Sequence, residues 1–397
     1  MRRLFFIPLL SLLLLLPAHS AGGNGCPLPC SGQVASPEDE RLLYVQPEGE
    51  RGPVSVYDTR TGKLRFRLPA GLSSADGRWH FSAHRWSGGA ATLVRAVALS
   101  TGGIQQTFSV PGRWRLAGVS PQGRWLVLSN RRFRPLRTET AILDASRGLI
   151  VHRFALRGNF EVETVSPDGL RLFLIQHLRR DGAPRYLVRL YDLGSRQLRS
   201  EPLRGGQDRV MAGYAWSGVA SPDGRWLLTL YLNTLRSNAF IHALDLKKGI
   251  PRCIDLPSGR GAFDLLKRYS LTLSPNGSTL FAANPAIGAI AEIDLGTRRV
   301  VRRSAFPAER ANGLRRQTAL SGTISRNGRT LYFGGGRALW AYDAAYGRVR
   351  GPYATGAPIL GFGYGKDERR VHALLAGGRM LTLDAATGRR LSGSARP

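Results

Sequence analysis

One tetrapeptide recurs along the chain. Ser-Pro-Asp-Gly stands at 166–169 and 221–224, with variants Ser74-Ala75-Asp76-Gly77, Ser120-Pro121-Gln122-Gly123, Ser274-Pro275-Asn276-Gly277 and Ser325-Arg326-Asn327-Gly328. Degenerate copies open at Ser36-Pro37 and Gly365-Lys366-Asp367. The eight starts, at 36, 74, 120, 166, 221, 274, 325 and 365, lie about 40 to 55 residues apart, the period of a propeller blade. Proline fixes φ, aspartate makes an Asx-turn and glycine takes φ > 0, so the motif joins two strands tightly.

The residues after each turn are equally regular. Short apolar runs such as Trp125-Leu126-Val127-Leu128, Leu172-Phe173-Leu174-Ile175 and Trp226-Leu227-Leu228 read as strands sandwiched between neighbouring sheets. A third strand ends in Asp58, Asp144, Asp192, Asp245, Asp294, Asp343 or Asp384, with Ser100 in the second unit. Their identical placement makes these aspartates turn formers rather than a ring of catalytic carboxylates. A glycine hairpin such as Thr61-Gly62-Lys63 leads to a more polar fourth strand, Leu64-Arg65-Phe66-Arg67-Leu68. Four short strands per unit predict an all-β propeller of four-stranded antiparallel blades. The count favours eight blades; seven would require the unit at 36–68 to lie outside the ring or share strands with the last.

These repeats resemble those of the YVTN-type and WD40-like bacterial propellers, whose units carry the same turn and a later Val-x-Val-x-Asp-x-x-Thr-Gly-Lys hairpin. The stretch Val54-Ser55-Val56-Tyr57-Asp58-Thr59-Arg60-Thr61-Gly62-Lys63 is the closest copy. The resemblance covers about the whole of 36–397 and implies a fold, while the family spans scaffolds, sensors and enzymes. The Tyr-Val-Thr-Asn string and the Gly-His and Trp-Asp signatures of eukaryotic WD40 blades are absent.

Ahead of the repeats, Arg2 and Arg3 precede an apolar run from Leu4 to Pro17 and the small-residue stretch Ala18-His19-Ser20-Ala21. That is the plan of a secretory signal peptide over 1–20, cut after Ser20, with a linker at 21–35 and the propeller at 36–397. The expected location is extracytoplasmic, and no later segment is apolar enough to span a membrane. Cys26 lacks a lipobox leucine, Gly23 standing in its place. In an oxidising compartment Cys26 and Cys30 could close a small disulfide, and Cys253 is expected to be a small buried apolar residue.

The first and third turns of a four-stranded meander lie on one edge of the blade, and the second turn and interblade connection on the other. Both turns of the first kind are short here, so the variable loops collect on the second edge, where binding usually resides. They are rich in arginine, and Arg131, Arg132, Arg134, Arg179, Arg180, Arg209, Arg268, Arg315 and Arg316 are the candidate binding residues. Lysine plus arginine number 57 against 27 acids, a net charge of +30. Five are lysine (Lys63, Lys247, Lys248, Lys267, Lys366), leaving 57 − 5 = 52 arginines. Base composition alone can produce such a bias, so net charge is weaker support than placement.

Motifs that carry chemistry are absent: there is no Gly-x-Ser-x-Gly, His-Glu-x-x-His, Walker loop or dinucleotide fingerprint. His80 and His84 share one face of a strand, with no third ligand at metal-binding spacing. The sequence therefore points to a monomeric, non-enzymatic binding scaffold without metal or cofactor. Its expected partner is a protein or an anionic polymer such as a cell-envelope polysaccharide, and export argues against nucleic acid. The competing reading is a propeller enzyme, a lactonase-like hydrolase or quinone-type oxidoreductase, working in the central channel.

Overall fold

The computed structural model describes residues 34–35, 42–45, 53–85, 89–133, 136–178, 184–204, 210–233, 236–258, 263–308, 321–365 and 368–391. The expected leader and the linker cysteines Cys26 and Cys30 lie outside them. Eight antiparallel sheets follow one another along the chain, at 34–68, 72–111, 115–157, 160–198, 214–255, 270–305, 321–354 and 359–384. The ring thus has eight blades, one per turn motif, and the unit at 36–68 is a blade in its own right. First strands of blades 2 to 4 and of blades 5 to 8 touch in succession, and Ile359–Tyr364 of blade 8 meets Val34–Ala35 and Leu42–Val45 of blade 1, which closes the ring. Blade 8 has three strands, with a pairing of Leu383 and Arg390 where a fourth begins.

The turn motif works as its composition suggests. Ser166 Oγ donates to Asp168 Oδ1 and accepts the N–H of Arg171, while Asp168 Oδ1 accepts the N–H of Leu170. The same three bonds recur around Ser74, Ser221, Ser274 and Ser325. The hairpin aspartates are turn formers in all seven blades that have one: each accepts a backbone N–H two or three residues on, from Thr61, Ser146, Ser195, Lys248, Thr297, Ala345 or Thr387. These bonds hold half-buried Asp192, Asp294 and Asp384 below the usual carboxylate range.

Apolar side chains meet between blades. Among the described residues, seven of the eight interfaces each carry one hydrophobic cluster. The interface of blades 4 and 5 carries two: Ile175, Tyr186, Val188, Met211, Tyr231 and Phe240 on one side, and Phe173, Leu190, Leu227, Leu244 and Leu246 on the other. Leu203 packs against both, and on blade 5 the residues between them, Thr229 and His242, are polar. Blade 4 is irregular as well, because its third strand, Arg185–Asp192, pairs with Gln197–Leu198 at one end and with Met211–Ala212 at the other.

Candidate functional site

The two edges of the ring differ as the meander requires. On the short-turn edge Arg124, Arg171 and Arg225 are engaged in the fold. Arg124 and Arg225 reach Asp144 and Asp245 at 3.1 and 3.3 Å, and their guanidinium groups lie 4.4 and 5.0 Å from the ring centroids of Trp125 and Trp226. Arg171 pairs with Asp168 at 3.2 Å and donates to Lys247 O of the next blade at 2.6 Å. Charge on this edge therefore stitches turns to hairpins.

On the second-turn edge of blades 3 to 5, Arg137, Arg185, Arg204 and Arg236 are exposed. Of the candidates named from sequence, Arg131 and Arg132 lie on the strand Trp125–Phe133, paired in register with Thr138 and Arg137. Arg268 is half-buried after the short helix Phe263–Leu266, and its charge helps Lys267 hold Asp264 below its usual range. Lys267 bonds Asp264 at 2.8 Å and sits 5.1 Å from the Trp216 ring. Arg134, Arg179, Arg180, Arg209, Arg315 and Arg316 fall outside the described residues. Arg131 and Arg132 thus stand at the second-turn end of blade 3, and Arg268 on the approach to blade 6.

A second site has no motif to announce it. Glu163 occupies the bulge of the inner strand Phe160–Val165, where the register shifts between Val162 and Thr164. Facing it from blade 5, Gly218, Thr229, His242 and Cys253 are successive cross-strand partners and form one row on one face of the sheet. His242 Nε2 lies 3.9 Å from Glu163 Oε1, and both side chains are 0% exposed. That separation is beyond hydrogen-bond range. Both oxygens of Glu163, both ring nitrogens of His242 and Thr229 Oγ1 are buried without a hydrogen-bond partner, and buried Tyr186 Oη lies beside the Tyr231 hydroxyl. The row runs between Tyr231 and Phe240 above and Leu227 and Leu244 below, and so divides the apolar interface.

Burial, reinforced by the charge of Glu161, raises Glu163 to about 8, while burial lowers His242 to about 4. Near neutral pH a carboxylic acid faces a neutral imidazole, so the contact is not an ion pair. Burial together with its neighbours also lifts Tyr186 and Tyr231 well above their usual value. Glu161 itself is 2.8 Å from His177 Nε2. Cys253, at the outer end of the row, is exposed rather than buried, with Sγ 3.7 Å from Met211 Sδ, because Ile250–Asp255 is the outermost strand of its blade.

The repeat itself marks this pair. Three residues before the turn serine, where blade 4 has Glu163, the other copies have Gly71, Ala117, Gly218, Leu271 and Gly322, and blade 8 has Phe362 at the matching place. Three residues before the hairpin Asp, where blade 5 has His242, the others have Ser55, Ala141, Arg189, Ala291, Trp340 and Leu381, with Val97 before Ser100. Aligning the units position by position singles out Glu163, which no catalytic motif contains.

No family model matches the sequence, nor does any curated protein sequence. Solved structures similar to it include Kuenenia stuttgartiensis hydrazine synthase (14% identity over 78% of this chain and 96% of that one, TM-score 0.36). Others are the dihydro-heme d1 dehydrogenase NirN in complex with DHE (16%, 89% and 72%, TM-score 0.47) and Porphyromonas gingivalis dipeptidyl peptidase 4 (12%, 94% and 60%, TM-score 0.53). At 12% identity the likeness to the peptidase concerns the propeller fold, and the chain spans 60% of that protein's length.

Proposed function

We propose that the chain is an exported, monomeric, non-enzymatic propeller of the YVTN-type or WD40-like kind that binds an anionic or protein partner through its second-turn edge. The observation that carries this reading is the unequal use of charge. On the short-turn edge Arg124, Arg171 and Arg225 are held in pairs, stacking and backbone hydrogen bonds, whereas on the other Arg137, Arg185 and Arg236 stand exposed and Arg204, also exposed, meets Glu201 of the same surface loop at 3.8 Å. A rigid rim of exposed guanidinium groups attracts anions and holds carboxylate or phosphate bidentately. The pair most like acid–base machinery, Glu163 and His242, is closed to solvent, which favours binding over catalysis in the channel.

The test compares two quadruple variants. Changing Arg137, Arg185, Arg204 and Arg236 to Glu is expected to weaken binding to polygalacturonate by about tenfold or more. Changing Arg65, Arg67, Arg252 and Arg299, all exposed on outermost strands, alters net charge equally and should cost far less. Binding to the parent should also fall with salt, since exposed charges are screened over ~8 Å at physiological ionic strength. Equal losses in the two variants would mean diffuse attraction with no dedicated face. Absence of binding in the parent removes the anionic partner.

A further inference from the structure

We infer that the interface of blades 4 and 5 contains an internal binding site for a small uncharged molecule that both donates and accepts hydrogen bonds, namely water, held among Glu163, His242, Tyr186 and Thr229. The first support is the orphaned polar atoms. Glu163 Oε1 and Oε2, His242 Nδ1 and Nε2 and Thr229 Oγ1 come from strands of two blades, converge between the same sheets, and have no hydrogen-bond partner; buried Tyr186 Oη joins them with the Tyr231 hydroxyl beside it. Buried polar groups are normally satisfied by protein or by ordered water, and leaving one bare costs its full desolvation. A site with several donors and acceptors is the kind that retains water, which needs 2–4 polar partners. At 3.9 Å the acid and the imidazole are too far apart for a direct bond, while each can still bond to a molecule seated beside them.

The second support comes from the repeat and is independent of the first. Among the described residues, every other interface closes with one continuous apolar cluster, and every other blade places a side chain other than Glu or His at the two equivalent positions. Ring closure therefore does not require these polar groups. Their chemistry also limits the occupant. Beside burial, the charge of Glu161 acts on Glu163, burial alone acts on His242, and the charged or ionisable groups that act on the flanking Tyr186 and Tyr231 are each other, Glu163, Glu161 and Cys253; none of these is a cation at neutral pH, so an anion is not matched. Among the described residues no group of three metal-ligating side chains forms, so the donor set does not suit a metal ion either.

Two measurements on the mature chain test this. A high-resolution crystal structure is expected to show ordered solvent bonded to at least two of the six atoms. Direct bonding of Glu163 to His242 with no solvent between them would overturn the proposal. Hydroxyl-radical footprinting by synchrotron radiolysis, which labels side chains beside bound water even when they are buried, provides a reading in solution. Tyr186 and His242 should be modified several-fold faster than Trp340, the blade 7 counterpart of His242 and itself buried, after correction for intrinsic reactivity. Equal protection of all three sinks the inference.

Discussion

Two buried histidines of this propeller are held in opposite ways. His80, on the second strand of blade 2, is satisfied at both nitrogens: Nε2 donates to Pro69 O at 2.8 Å, and Nδ1 accepts from Ser73 Oγ at 3.0 Å. A carbonyl can only accept, so this arrangement sets the tautomer. His242 has no partner at either nitrogen. Burial nevertheless lowers both to about 4, slightly opposed for His80 by the Pro69 carbonyl. The shared shift therefore says nothing about role; the hydrogen-bond partners do. Even the repeat position is related, since Gly71 of blade 2 stands where blade 4 has Glu163, and a Cβ on Gly71 would come within 2.8 Å of His80 Nε2. One blade leaves room for its imidazole, and the other faces its neighbour's imidazole with an acid.

Alkaline pH should separate the two regions most strongly. Both histidines stay neutral when folded, so each contributes stability that is present above 6.5 and lost as pH falls toward 4; acid titration does not distinguish them. Glu163 is raised instead. Its contribution is fully present below 4.5 and is lost as pH rises to about 8, an effect on the order of 3 to 5 kcal/mol. Between pH 5 and pH 9 urea denaturation should show the parent losing that much relative to Glu163→Gln, since the gain from the two histidines over the same range is common to both. Identical alkaline profiles would erase the distinction between the two sites.

A smaller effect is expected at fixed neutral pH. His80→Leu strands the Ser73 hydroxyl and the Pro69 carbonyl in the interior and should destabilise by about 2–4 kcal/mol. His242→Leu removes no hydrogen bond between protein groups and extends an apolar cluster, so it should fall within about 1 kcal/mol of the parent. Thermal unfolding measures both, and comparable losses would show that His242 is as structural as His80.

The same contrast between crowded and open surroundings extends to the turn glycines and gives the smallest effect. Gly169 and Gly277 share a motif position and a positive φ, +73° and +67°. A Cβ at Gly169 would lie 2.3 Å from Trp125 Cε2, whereas at Gly277 the nearest atom is 3.9 Å away. Gly277→Ala should cost about 1 kcal/mol, the penalty of a left-handed L-residue, and Gly169→Ala about 2–3 kcal/mol because the indole must also move. Equal melting temperatures for the two variants would mean that packing around Trp125 does not constrain the turn.

The blades and turns were legible because their defining contacts are local. A turn serine bonds a side chain two residues on and a backbone N–H five residues on, and a hairpin aspartate bonds two or three residues on, so the motif and the contact are read together. Which turns share an edge was legible too, since their order follows from a meander. The engagement of Arg124 and Arg225 was not, because their aspartate partners lie 20 residues away across the blade. Cys253 was misread because an outermost strand and an inner one can share an apolar composition.

By itself, then, the sequence determined the unit: four strands, a Ser-Pro-Asp-Gly turn, an aspartate-capped hairpin, and eight copies of that plan. Tertiary structure alone decided what the copies do to one another. Which blade closes on blade 1, and whether the facing surfaces of blades 4 and 5 match, depends on the lateral stacking of separate sheets, and no spacing along the chain encodes that. Glu163 and His242 belong to different repeats, and each is unremarked within its own. They become a site only when the ring sets the bulge of one blade against the third strand of the next and closes both off from solvent.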